Sequence, residues 1–157
     1  MIVIVALAAA LAQSDVLLDR TLAIVGGRTI TLSDARTVLA LGLAEGSAVD
    51  RALLDRLIDR ELMLREADRY GPPEPAATAV EERRAEIGRR VGTADELARV
   101  LRAGGFSESR LRAWIRDDLR VASYLRQRFA ADDRRQELVA DWIADLRRRT
   151  DITGFDP

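Results

Sequence analysis

Along most of this chain apolar positions recur at intervals of three and four, the spacing that lines one face of an α-helix. The longest such stretch opens at Asp50 and runs to about Tyr70, carrying Leu54, Leu57, Ile58, Leu62 and Met63, with Leu53 and Leu64 widening the stripe. Gly71-Pro72-Pro73 closes it, and a stripe that wide asks for neighbours on two sides. Asp55, Asp59, Arg56 and Arg60 fall on its flanks and read as a solvated face. A second long helix is predicted after Ser107, which can cap it, with Leu111, Trp114, Ile115, Leu119, Ala122, Leu125 and Phe129 in the same rhythm. After a break or cap at Asp132-Asp133, Val139, Trp142, Ile143 and Leu146 mark a last helix. Shorter helices are predicted from a cap at Ser33 to about Glu45, from about Ala76 to Val91, and from a Thr93/Glu96 capping box to Gly104-Gly105. The second of these carries few large apolar residues and belongs at the periphery. Ahead of them, Leu22 to Val25 and Arg28 to Thr31 read as two strands joined at Gly26-Gly27, a pair that accepts the positive φ angles of a tight hairpin. The fold class that follows is mainly α: a helical bundle with a short N-terminal β-hairpin.

The first twelve residues, Met1 to Ala12, break the pattern by being apolar throughout, ending on Ala10-Leu11-Ala12 before Gln13-Ser14. They read as a signal peptide whose small residues suit cleavage, although no Arg or Lys precedes the apolar run. Twelve helical residues reach only about 18 Å, short of a bilayer core of about 30 Å, so no stable membrane insertion is expected. The expected organisation is a signal peptide over 1–12 and one domain over 13–157, periplasmic or otherwise exported.

Composition narrows the chemistry. The 157 residues are 48% hydrophobic but only 4% aromatic, which suits a helical core of Leu, Val, Ile and Ala. There is no His and no Cys, which removes most routes to a zinc site, a Cys or Ser-His nucleophile or a disulfide. All 25 basic residues are Arg, so a lysine Schiff base is excluded too, and 26 acidic residues bring the net charge to −1. Nucleic-acid affinity rests on clustered positive charge, and none is in excess here. Arg147-Arg148-Arg149 ends a helix that starts among acids, an arrangement the helix dipole alone explains. Neighbouring acids such as Asp117-Asp118 point apart on a helix and make poor metal clamps. No catalytic residue, metal or cofactor is expected.

Four segments, taken in order, carry a resemblance. Ile24 to Ser33 (IVGGRTITLS) resembles the opening hairpin and helix cap of the SurA-like N-terminal chaperone domain, found in exported chaperones and peptidyl-prolyl isomerases. Leu53 to Gly71 (LLDRLIDRELMLREADRYG) is similar to that family's most specific helix. Phe106 to Phe129 and Leu138 to Ile152 (LVADWIADLRRRTDI) resemble its later helices, and the match spans most of residues 20–152. Two departures stand out. Gly26 occupies a position usually held by Asn, and only about Ala130 to Arg135 lies where family members often carry a parvulin isomerase domain. Parvulin sites use histidines, so isomerase activity is not expected of this chain. The resemblance implies that the C-terminal helix packs back on the N-terminal helices, with Trp142, Ile143 and Leu146 at the contact.

It also implies a holdase: an apolar crevice between helices that takes unfolded or outer-membrane-type polypeptides without catalysis. Met63, Phe106, Leu111 and Trp114 are the expected peptide-binding residues, being bulky and on broad apolar faces; each of them also suits a core position. The alternative is an interaction domain with one dedicated protein partner, a remnant of an isomerase that has lost its catalytic insert.

Overall fold

The computed structural model describes residues 19–129 and 133–154. The chain enters through strand β1 (Thr21–Val25), turns at Gly26-Gly27 (φ +51° and +89°) and returns as β2 (Arg28–Thr31). The two pair antiparallel, with an irregularity between Thr21 and Ala23. Only glycine adopts two consecutive left-handed conformations at little steric cost, which is what a two-residue hairpin turn demands.

β2 runs directly into helix α1 (Leu32–Ala40). The cap is Thr31 rather than Ser33: the Thr31 hydroxyl accepts from the Asp34 amide, and the Asp34 carboxylate accepts from the Thr31 amide. The Ser33 hydroxyl donates instead to Asp19. The helix also stops earlier than expected, since Gly42 turns left-handed at φ +60°. Helix α2 (Arg51–Tyr70) follows, capped by the Asp50 carboxylate and closed by a left-handed Gly71. Helices α3 (Ala77–Val91) and α4 (Ala94–Ala103) come next, the second opened by the Thr93/Glu96 capping box. Ser107 caps α5 (Glu108–Arg128). Helix α6 (Arg135–Arg149) begins at Arg134 without a side-chain cap. Strand β3 (Ile152–Gly154), which periodicity did not predict, pairs antiparallel with β1, giving a sheet of order β2-β1-β3.

The described residues thus form a mainly α bundle with a small antiparallel sheet, and the C-terminal helix contacts the earlier ones. The hydrophobic interior is in two parts. A larger core gathers the sheet, α1, α2, the second half of α5 and α6, including Leu54, Ile58, Leu62, Val121, Tyr124, Trp142 and Leu146. Its rings touch in series: Tyr70 stacks on Tyr124 (5.7 Å between centroids), Tyr124 meets Trp142 (5.8 Å), and Trp142 meets Phe129 (5.5 Å). A smaller core joins Leu41, Ile87, Leu97, Leu101, Phe106, Leu111 and Ile115. Ile87 is the one buried residue of α3, in keeping with a peripheral helix.

Of the charges flanking α2, Arg56 is exposed as spacing suggested, whereas Asp55, Asp59 and Arg60 are partly covered. Arg147 on α6 donates to Asp59 (2.6 Å), to Asp55 (3.2 Å) and to the Asp55 carbonyl (3.0 Å), fastening the last helix along the longest one. This also absorbs the first residue of the triple-arginine run. Arg148 pairs with Asp145, and Arg149 with Asp145 and Glu66.

Candidate functional site: an apolar groove at the seam of the two cores

Helices α2, α5 and α6 do not close completely against one another. Between them lies an open groove of about 460 Å³, inside the range of about 300–1,000 Å³ typical of ligand pockets. Helical spacing places its lining: Leu57, Arg60 and Met63 follow one line along α2. Trp114, Asp118, Val121 and Leu125 do the same on α5, and Ile143 faces them from α6. Leu43 and Ala44, in the connection after α1, close one end.

Trp114 is the fixed point of this groove. The Arg60 guanidinium sits 3.5 Å from the centre of its ring and donates Nη2 to its carbonyl oxygen (3.3 Å). Arg60 Nε in turn bonds Asp118 Oδ1 at 2.7 Å. Burial raises the Asp118 carboxyl above its ordinary value, and the Arg60 cation opposes that shift. On another side the ring meets Phe106, 6.1 Å away and tilted by 46°. An indole held by a stacked guanidinium and a neighbouring ring is a rigid apolar platform. Met63 is unbranched and polarizable, so it adapts to varied shapes. The groove therefore pairs a stiff surface with a compliant one, and Arg56, Asp59, Arg60 and Asp118 supply polar edges.

Of the four residues expected from sequence, Met63 and Trp114 come together here, both partly buried. Phe106 and Leu111 do not: at 4% and 0% exposure they lie inside the smaller core. Val121, Ala122, Leu125, Ile143 and Leu43 complete the wall, and the sequence did not assign them to a binding site. Ala122, Leu125 and Ile143 carry the three-and-four rhythm of their helices, which marks a covered face without saying which part of it stays open.

A second pocket of about 250 Å³ shares Leu57, Arg60 and Trp114 with the groove and extends to the charged side chains of Arg28, Glu61, Asp34 and Arg110. Glu61 is buried, which raises its carboxyl above the ordinary value; Arg28, with Nε 3.3 Å from Oε1, counters. Arg110 lies over the Phe106 ring (4.1 Å) and donates to Asp34 (2.7 Å). Among the described residues no group of three or more His, Cys, Asp or Glu side chains is placed to hold a metal ion. No helix among them is long and apolar enough to cross a membrane. The expected signal peptide, Met1 to Ala12, lies outside the described residues.

No family model matches the chain, and no curated protein matches it significantly.

Proposed function

We propose that this chain is an exported, SurA-like polypeptide-binding module that holds unfolded or extended clients in the groove between α2, α5 and α6 and performs no catalysis of its own. One observation carries the reading: an open groove lined by Met63, Trp114, Val121, Leu125 and Ile143, apolar side chains left partly uncovered or at its wall although the chain has two cores in which to bury them. A concave, mostly apolar surface edged by a few charged groups is the usual form of a binding site. A binder of many sequences needs compliant contacts on a firm base, which the Met63 and Trp114 pair supplies. The order of the four sequence motifs supports the kinship, and the apolar run at Met1 to Ala12 supports export to the periplasm.

The test is suppression of aggregation. Purified protein is mixed with a denatured outer-membrane-type client at near-equal concentration, and light scattering is followed. The reading expects scattering to fall in proportion to added protein, and Met63→Glu, which places a charge in the groove, to abolish most of the effect. No suppression by the unmodified protein removes the proposal. Recovery of a single stoichiometric protein in pull-downs, without suppression, establishes instead the interaction domain with one dedicated partner.

A further inference from the structure

The hairpin turn, the end of α2 and the end of α6 converge on a third depression, of about 480 Å³, remote in chemistry from the groove. Four guanidiniums line it: Arg28 from β2, Arg65 and Arg69 from α2, and Arg149 from α6. Two acids, Glu66 and Asp68, stand against them, and these are already engaged. Asp68 accepts from Arg120 on α5 at 2.6 Å. Glu66, buried, faces Arg149 at 3.4 Å and Arg69 only at 4.0 Å.

The cations are correspondingly under-neutralised. Arg65 has no carboxylate within ion-pair distance among the described residues; its Nη1 donates to the Gly26 carbonyl (2.7 Å). That bond ties it to the rigid hairpin turn. Arg69 is 67% exposed, with its one carboxylate at the limit of pairing. Arg28, 57% exposed, faces Glu61 with Nε 3.3 Å from Oε1. The four cations face three carboxylates, Glu61, Glu66 and Asp145, which leaves an excess of about one positive charge, centred on Arg65. Guanidiniums present paired N–H donors in a planar fork that matches two oxygens of one group.

The geometry points to an oxyanion site here, taking a phosphoryl or carboxylate group between Arg65, Arg69 and Arg28. The site is independent of the groove and of the polypeptide-binding reading. Its ligand is an anion with at least two acceptor oxygens.

Backbone amide shifts of the full chain test it, titrated with sodium phosphate and, separately, sodium acetate, with chloride holding ionic strength constant. The expected result is a saturable shift at Gly26, Gly27 and Thr150 in the millimolar range. A response to phosphate alone assigns the phosphoryl class, and a response to both assigns oxyanions generally. The R65Q/R69Q double variant is expected to lose at least tenfold in affinity, whereas R89Q/R99Q, which removes the same charge elsewhere, keeps it. Absence of a saturable response in the unmodified protein overturns the proposal whatever the variants do, and so does equal loss in both double variants.

Discussion

The two cores are built from different materials and over different distances. Most of the smaller one comes from one continuous stretch, Ile87 to Ile115, joined by Leu41, and it contains one ring, Phe106. The larger one joins elements from both ends of the described residues. It needs β1 and β3 side by side, Trp142 against Tyr124, and Arg147 reaching Asp59 across 88 positions of sequence. Helix α5 serves both, turning Leu111 and Ile115 into one and Val121 and Tyr124 into the other. At the handover neither core covers its border completely. Leu43 and Trp114 are the two partly buried residues that pack against both, and both line the groove. A helix that must satisfy two interiors in succession leaves apolar surface where it changes sides, and the opening lies there.

Breaking the larger core should have the largest effect. Trp142→Ala removes a ring in contact with two others from a position 8% exposed, and a loss of about 3–5 kcal/mol in unfolding free energy is expected from urea denaturation. Because α6 carries one groove wall, client binding should weaken with it.

An intermediate effect is expected at Gly104, where α4 ends against α1. A β-carbon there would fall against the Thr37 hydroxyl and within 2.7 Å of Thr37 Cβ. Thr37 is buried and its stem belongs to the helix, so it has little room to withdraw. Gly104→Ala is therefore expected to destabilise by about 1–3 kcal/mol in the same assay. Client binding should be spared, which separates the two cores functionally. Equal loss of binding in both variants would merge them into one unit.

The smallest effect concerns pH. Burial holds the Glu61 carboxyl above its ordinary value of 4.5 in the folded chain, with Arg28 opposing. Between the unfolded and folded values the native state binds more protons than the unfolded one, so this group's contribution makes stability fall as pH rises through that window. Glu61→Gln should remove that slope and leave the variant relatively more stable above the window than below it. Urea midpoints of the two proteins, compared from pH 4 to pH 8, check the sign.

Much of this arrangement is legible in the amino-acid order. Asp50, Thr93 and Ser107 cap the helices they were expected to cap, because each has a short oxygen-bearing side chain just before an apolar-periodic run. The hairpin follows from Gly26-Gly27. Thr31 and Ser33 compete for one helix start, and Thr31 wins because Asp34, three residues on, completes a reciprocal pair of bonds. Leu41 and Leu43 prolong an apolar pattern past the true end of α1, and the left-handed Gly42 is what stops the helix. β3 has three residues and one large apolar side chain, too little signal for any period; only its partner β1 gives it form. The groove was half legible for a similar reason. Met63, Phe106, Leu111 and Trp114 look alike as bulky residues on apolar faces, and which pair stays uncovered depends on where the second core takes its share of α5. Likewise, Arg147, the partner that Asp55 and Asp59 share, lies some ninety residues away, beyond the reach of helical spacing.

Site-directed photo-crosslinking reads the central claim most directly. A photoreactive residue at position 63, in the groove, is compared with one at position 91, at the edge of the smaller core, each irradiated with a denatured client. The account expects crosslinked client from position 63 and little from position 91. Equal yields from the two positions, or none from position 63, would contradict it.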